Sequence, residues 1–262
     1  MESSPHVWIE TLRKSHDRLA GLAELLTPGE LREQSYCTGW TVAQLLSHLG
    51  SGAEIAMLML PGALGEAEPV GREAFAPVWE VWNAKTPDEQ AADALAYDDR
   101  HVTTLERLTD DQLGGMKLDF FGTQLDAVGI VRLRLGEHAL HTWDVAAQHD
   151  AAATVAPDAT ALLIDNVPQF LGPRLGKPLG EPFRVRIVTT GPDRDYLLTS
   201  AESVTVADWP AGADADEVPV VQMPAEALLR LAYGRLDPDH TPAEVTADPD
   251  VLARLRQIFP GF

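Results

Sequence analysis

In the first part of the chain, to about residue 150, apolar residues return every three or four positions in long stripes separated by turn-forming residues. That is the pattern of antiparallel helices packed on one core. Leu12, Leu19, Leu22 and Leu26 share a face of a first helix over residues 7–26, which stops at Thr27-Pro28-Gly29. Thr41-Val42-Ala43-Gln44 opens a second helix over 41–60, because Thr41 and Gln44 stand where each satisfies the other's orphaned backbone donor. Residues 61–77 are rich in Gly, Pro and Glu and predict a long connection, with a short helix at 78–82. Thr86-Pro87-Asp88-Glu89 supplies a cap, a first-turn proline and first-turn acids, predicting a third helix over 86–108. A fourth, over 126–148, carries Ile130, Val131, Leu133, Leu135, Leu140, Trp143 and Val145.

The texture changes at the small-residue stretch 150–157, which reads as a domain edge between a bundle at 1–150 and a smaller α+β domain at 151–262. A helix is predicted over 158–171. Phe183, Val185 and Ile187 then alternate with Arg184 and Arg186, a period of two that fits a half-exposed strand. Gly191-Pro192-Asp193 follows as a turn, further short strands are expected at 196–199, 203–207 and 218–222, and helices at 224–233 and 248–258. The stretch 211–217 reads as a loop.

Composition narrows the function classes. The 262 residues are 45% hydrophobic, which rules out a disordered chain. Lys and Arg number 20 against 40 Asp and Glu, so the net charge of −20 repels nucleic-acid phosphates and anionic lipid. Neither partner is expected. A lone cysteine, Cys37, makes no internal disulfide and no thiolate-rich zinc site; it reads as a small loop residue. The first 20 residues carry charges where a signal peptide is apolar, and the longest apolar run, 55–60, is far too short for a bilayer. A cytoplasmic protein is the expectation.

The candidate chemistry lies in the fourth helix. Glu137 and His141, four apart, project about 40° from each other on one face, with Asp144 continuing the stripe. Such a pair either makes an ordinary contact on a solvated face or aims two ligands at one point. His48, between Leu45, Leu46 and Leu49, is either a hydrogen-bonded core histidine or the third ligand from a facing helix. A His, Glu, His set leaves tetrahedral zinc one open position, the mark of a catalytic site. Asp144 either orients His141 or faces solvent. His138 points about 60° away from His141 and is read as substrate-facing or exposed. Arg132 and Arg134 either meet an anionic ligand near the metal or pair with neighbouring acids. Trp8, Trp40, Trp79, Trp82 and Trp143 are read as core or pocket wall. No phosphate-cradling glycine loop, Gly-x-Ser-x-Gly elbow or His-Glu-x-x-His motif is present.

Gly39-Trp40-Thr41-Val42-Ala43-Gln44-Leu45-Leu46-Ser47-His48-Leu49 resembles the Gly-Trp-[Thr/Ser]-Val-x-x-Leu-x-x-His-Leu signature of the mycothiol-dependent maleylpyruvate isomerase family, within the DinB-like superfamily. Glu137-x-x-x-His141-x-x-Asp144 is similar to its second signature, and Leu228-Leu229 through Gly234-Arg235 to a segment of its C-terminal domain. The resemblance implies a DinB-like four-helix bundle followed by an α+β domain, with His48, Glu137 and His141 holding a divalent metal, Zn2+, and mycothiol taking the open position. Arg235, either toward a carboxylate or a charge complementing a helix C-terminus, and His138 are the candidate catalytic residues, and Arg134 and Trp40 the candidates for binding the thiol cofactor. A metal-held thiolate either attacks a small electrophile and stays on it, as a thiol S-transferase does, or adds reversibly and isomerises an unsaturated acid such as maleylpyruvate. The first is the leading expectation. A bundle that binds metal and thiol without turnover is the third.

Overall fold

The capping pairs read from the sequence set where the helices begin. In this computed structural model, which describes residues 4–120, 122–213 and 218–261 (side chains of 170, 171 and 173 aside), Thr41 Oγ1 accepts from the Gln44 amide at 3.2 Å and Gln44 Oε1 accepts from the Thr41 amide at 2.9 Å. Thr86 and Glu89 repeat the arrangement, and Asp126 accepts from the Gly129 amide at 2.8 Å. The resulting helices are α1 (Pro5–Ala23), α2 (Val42–Ala63), α3 (Phe75–Asn83), α4 (Pro87–Glu106), α5 (Asp110–Gly115) and α6 (Ala127–Ala146). The chain divides into two compact units, residues 1–149 and 150–262.

In the first unit α2 packs on α4, α4 on α1, α1 on α6, and α6 closes back on α2, a four-helix bundle. Its core includes Leu19, Val42, Leu45, Leu46, Leu49 and Trp82; each fully buried leucine stabilises by about 1.5–3 kcal/mol. Trp8, Trp82 and Trp143 are buried as expected, whereas Trp79 on α3 is 45% exposed and lies outside the core. The segment expected as a connection after residue 60 is partly helical: α2 continues through Pro61 to Ala63, where few turns remain for a proline to disrupt. Between α4 and α6 a short helix, α5, and a hairpin of β1 (Leu118–Phe120) and β2 (Thr123–Leu125) occupy a stretch without periodicity.

The second unit contains β3 (Phe183–Thr190), β4 (Arg194–Ser200), β5 (Val204–Asp208) and β6 (Val220–Pro224) in one sheet of order β5-β4-β3-β6, antiparallel except for the parallel β3–β6 pair. Phe183, Val185 and Ile187 face the core as their alternation demands. The helix expected over 158–171 is broken. It forms α7 (Pro157–Leu163), a π turn at Val167–Leu171 and α8 (Gly172–Leu175), because Pro168 has no N–H for the Ile164 carbonyl, which accepts instead from the Val167 amide at 3.1 Å. On α9 (Ala225–Ala232) the buried Arg230 pairs with Glu226 through two bonds of 2.7 and 2.9 Å. Glu226 also accepts from the Val155 amide at 3.3 Å, tying the start of the unit to α9. Asp248 caps α10 (Pro249–Ile258) through the Asp250 and Val251 amides. Most of the loop expected at 211–217 lies outside the described residues. No helix among those described is long and apolar enough to cross a membrane.

Gly50 marks a close approach of α2 to α4, since a Cβ there would stand 2.7 Å from the Ala94 Cα and meet the Trp82 ring. Alanine is the better helix former by about 1 kcal/mol, but backbone contact at that distance outweighs it. Gly50→Ala is expected to destabilise the bundle by about 1–3 kcal/mol, read as a lower urea midpoint at unchanged slope; a raised midpoint would contradict the packing.

Candidate metal centre

Three donors from two helices converge at one end of the bundle. His48 on α2 and Glu137 and His141 on α6 place His48 Nε2 at 3.0 Å and His141 Nε2 at 3.6 Å from Glu137 Oε2, with the three atoms mutually within 4.8 Å. Ligands of a tetrahedral ion with bonds of about 2.0–2.2 Å stand about 3.3–3.6 Å apart, so the set fits a divalent cation with little adjustment. Glu137 is half-exposed and His48 nearly so, which leaves the triad open to a small molecule.

Behind His141, Asp144 Oδ2 accepts from Nδ1 at 2.7 Å, fixing the tautomer that turns Nε2 toward Glu137. The buried Asp144 resolves the choice left by the sequence: it orients His141. Cys37 Sγ donates to the same Asp144 oxygen at 3.2 Å and lies 3.9 Å from His141 Nδ1, so the cysteine is part of this surround rather than an isolated loop residue. Cys37 and Trp40 are delivered by a tight turn in which Gly39 has φ +84°, a conformation that favours glycine. The Gln34 amide ties the turn together, donating to the carbonyls of Ser35, Cys37 and Trp40 at 3.0, 2.8 and 2.9 Å. The Trp40 ring then stands over His48, with centroids 5.1 Å apart, and 6.5 Å from His141, still 39% exposed.

Burial opposes ionisation of Glu137, but hydrogen bonds from His141 and His48 outweigh it and hold the carboxyl well below its usual range. Burial likewise opposes charge on His141, and the bonds with Asp144, Cys37 and Glu137 overcome it, raising the imidazole to about 10. A proton on His141 Nε2 and a cation in the triad would compete for the same lone pair.

Two residues expected to face ligand do not. His138 is fully buried on the inner face of α6; its Nε2 donates to Asp98 Oδ2 at 2.8 Å and its Nδ1 is 3.0 Å from Ser15 Oγ. Arg134 also turns inward, where Nη2 donates to Asp98 Oδ1 at 2.5 Å and to the Leu49 carbonyl at 2.8 Å. The roles expected of them as catalytic and cofactor-binding groups are corrected on that ground: α6 is buried around most of its girth, so a direction away from His141 leads into the bundle and not to solvent. Arg235 belongs to the second unit, where it is buried and donates to the Tyr233 carbonyl at 3.1 Å.

The acceptor at the centre of this inner network, Asp98, was not singled out from sequence, nor was His16, whose Nδ1 donates to Asp98 Oδ2 at 2.7 Å. The signal was an acid inside an apolar stripe: Ala94, Asp98, Val102 and Leu105 share a buried face of α4, as Leu12, His16 and Leu19 do on α1. Burial opposes ionisation of Asp98, yet Arg134 and the imidazole donors keep it ionised well below the usual range. Burial pushes His138 below its usual value, against the pull of Asp98. His101, on the same helix, has no partner for Nδ1 among the described residues; burial, with Arg134 nearby, pushes it down to about 3.

Comparison with known proteins bears on this arrangement. Residues 12–146 match the family model described as the mycothiol maleylpyruvate isomerase N-terminal domain, and residues 163–254 match the model of its C-terminal domain. A solved structure of the mycothiol-dependent maleylpyruvate isomerase is similar in fold at a TM-score of 0.66 and 19% identity, over 94% of this chain and 93% of that one. Uncharacterized proteins from two strains of Mycobacterium tuberculosis are 28% identical over 158 residues, 59% of this chain; the match spans 60% of their length.

The depressed His101 gives the bundle an acid limb. The unfolded chain takes up a proton on this residue near pH 6.5 while the native state refuses it down to about 3. Stability is therefore at its full value above pH 6.5 and falls as pH drops through that window. His101→Leu is expected to shrink the loss of unfolding free energy between about pH 7 and 4.5 by about 2–3 kcal/mol; urea melts with the same loss in both proteins would contradict it.

Proposed function

The chain belongs to the mycothiol maleylpyruvate isomerase family, and from that premise we propose that it is a metal-dependent enzyme that uses a low-molecular-weight thiol, mycothiol, to isomerise a cis-unsaturated acid of the maleylpyruvate type. The observation that carries the reading is the convergence of His48 Nε2, Glu137 Oε2 and His141 Nε2 at an open end of the bundle. These three would hold the metal, and zinc is the ion their chemistry suits best.

A divalent metal held by these residues would supply Lewis acidity, keeping a bound thiol deprotonated at neutral pH so that it could add to, and leave, an activated double bond. The protein's own residues do the rest. Asp144 holds the Nδ1 side of His141, so Nε2 is the nitrogen that a metal would take in place of its proton. Glu137, ionised through its bonds to the two histidines, brings negative charge that a dication needs. Trp40 stands beside His48 and offers an apolar face to whatever enters there. No protein base is required next to the sulfur, and the buried His138 is not positioned to be one.

Transfer of the thiol to an electrophile, the leading expectation from sequence alone, becomes the second reading. It is favoured by the half-exposed mouth at Glu137 and His48, which selects little by shape. The family description speaks for isomerisation.

Elemental analysis of the purified protein, followed by assay with mycothiol and either maleylpyruvate or a generic electrophile, tests the proposal. About one zinc per chain and thiol-dependent isomerisation are expected; stable conjugate without isomer would favour the transferase, and tight thiol binding with neither product would make the chain a binding protein. His48→Ala and His141→Ala are each expected to lose stoichiometric metal while keeping the helical circular dichroism of the bundle. Either variant retaining full zinc would overturn the ligand set.

A further inference from the structure

The geometry points to Asp98 as the positioning residue that sets how α2 and α6 present the three donors, an inference that rests on the metal reading of that triad. Asp98 touches none of them. Its Oδ2 accepts from His138, the neighbour of Glu137 on α6, and its Oδ1 accepts from Arg134, one turn earlier on the same helix. The same Arg134 nitrogen donates to the carbonyl of Leu49, the residue after His48 on α2. One carboxylate from α4 thus fixes a guanidinium that spans from α6 to the backbone of α2 beside the donor it carries, and steadies α6 beside Glu137. Serine and histidine from α1 complete the frame, through Ser15 on His138 and His16 on Asp98.

His16 Nδ1, Asp98 Oδ2 and His138 Nε2 also lie within 4.8 Å of one another, a spacing that suits a second metal. Charge argues for the brace instead. Arg134 already balances Asp98, both imidazoles have an N–H to give to Oδ2, and a dication would leave this buried point strongly positive. Both acceptors are met by one nitrogen at the tip of the arginine side chain; lysine carries the same charge on a stem one atom shorter, so its ammonium stops short of holding both.

The test is Co2+ titration of the full chain against a competing chelator, with the visible d–d spectrum recorded, for wild type, Asp98→Asn and Arg134→Lys. Arg134→Lys keeps the charge on Asp98 compensated, so it decides the matter if Asp98→Asn does not fold. Folded variants are expected to hold Co2+ about 10–100-fold more weakly with an altered d–d band, a change that mere loss of stability would not produce. Wild-type affinity and spectrum in folded Arg134→Lys would overturn the brace. Two Co2+ per wild-type chain and one per variant would overturn it in favour of a second metal site. A wild type that takes up no Co2+ would remove the triad reading, and this inference with it.

Discussion

A carboxylate with 1% of its side chain exposed must be met by donors, and the first unit is arranged around that requirement. Asp98 receives one guanidinium and two imidazoles from helices α1 and α6, so three of the four bundle helices meet at a single charge. Arg134 carries the connection to the fourth through the Leu49 carbonyl. Apolar packing makes the bundle stable, but it tolerates small slips; a directional network with little latitude in distance does not. The open end of the bundle, where His48, Glu137 and His141 converge, inherits its geometry from this closed interior.

The two layers divide the chemistry of α6 by face. Glu137 and His141 look outward to the triad, while Arg134 and His138 look inward to Asp98. Residues that are adjacent in sequence, Glu137 and His138, therefore serve opposite surroundings: one half-exposed and anionic, the other sealed against Asp98. Asp144 sits behind the outer layer and gives His141 the hydrogen bond that a ligand imidazole requires, with Cys37 as a second donor to the same oxygen.

Much of this was legible in the chain. Capping pairs such as Thr41 with Gln44 act between near neighbours, and the i, i+4 spacing of Glu137 and His141 is fixed by helix geometry alone. What escaped were relations that tertiary packing creates. The inward turn of Arg134 and His138 depends on α6 being covered on nearly all sides, which its own sequence does not declare. Asp98 stands beside Asp99 in an acidic stretch and reads as solvated unless its place in the Ala94–Val102–Leu105 stripe is weighed. The break at Pro168 followed from a missing amide, yet whether such a gap ends a helix or widens one turn is decided by which donors can reach the freed carbonyl, here the Val167 amide.

The uneven origin of the three donors has a consequence for assembly. Glu137 and His141 come from successive turns of one helix, so that half of the triad exists as soon as α6 is wound, whereas His48 is 89 positions away and arrives only when α2 docks. Closing a loop of that length carries an entropic cost that the two local ligands never face. A cation bridging both halves would act as a tether across that long loop, and its loss would loosen the closure between α2 and α6 before touching either helix.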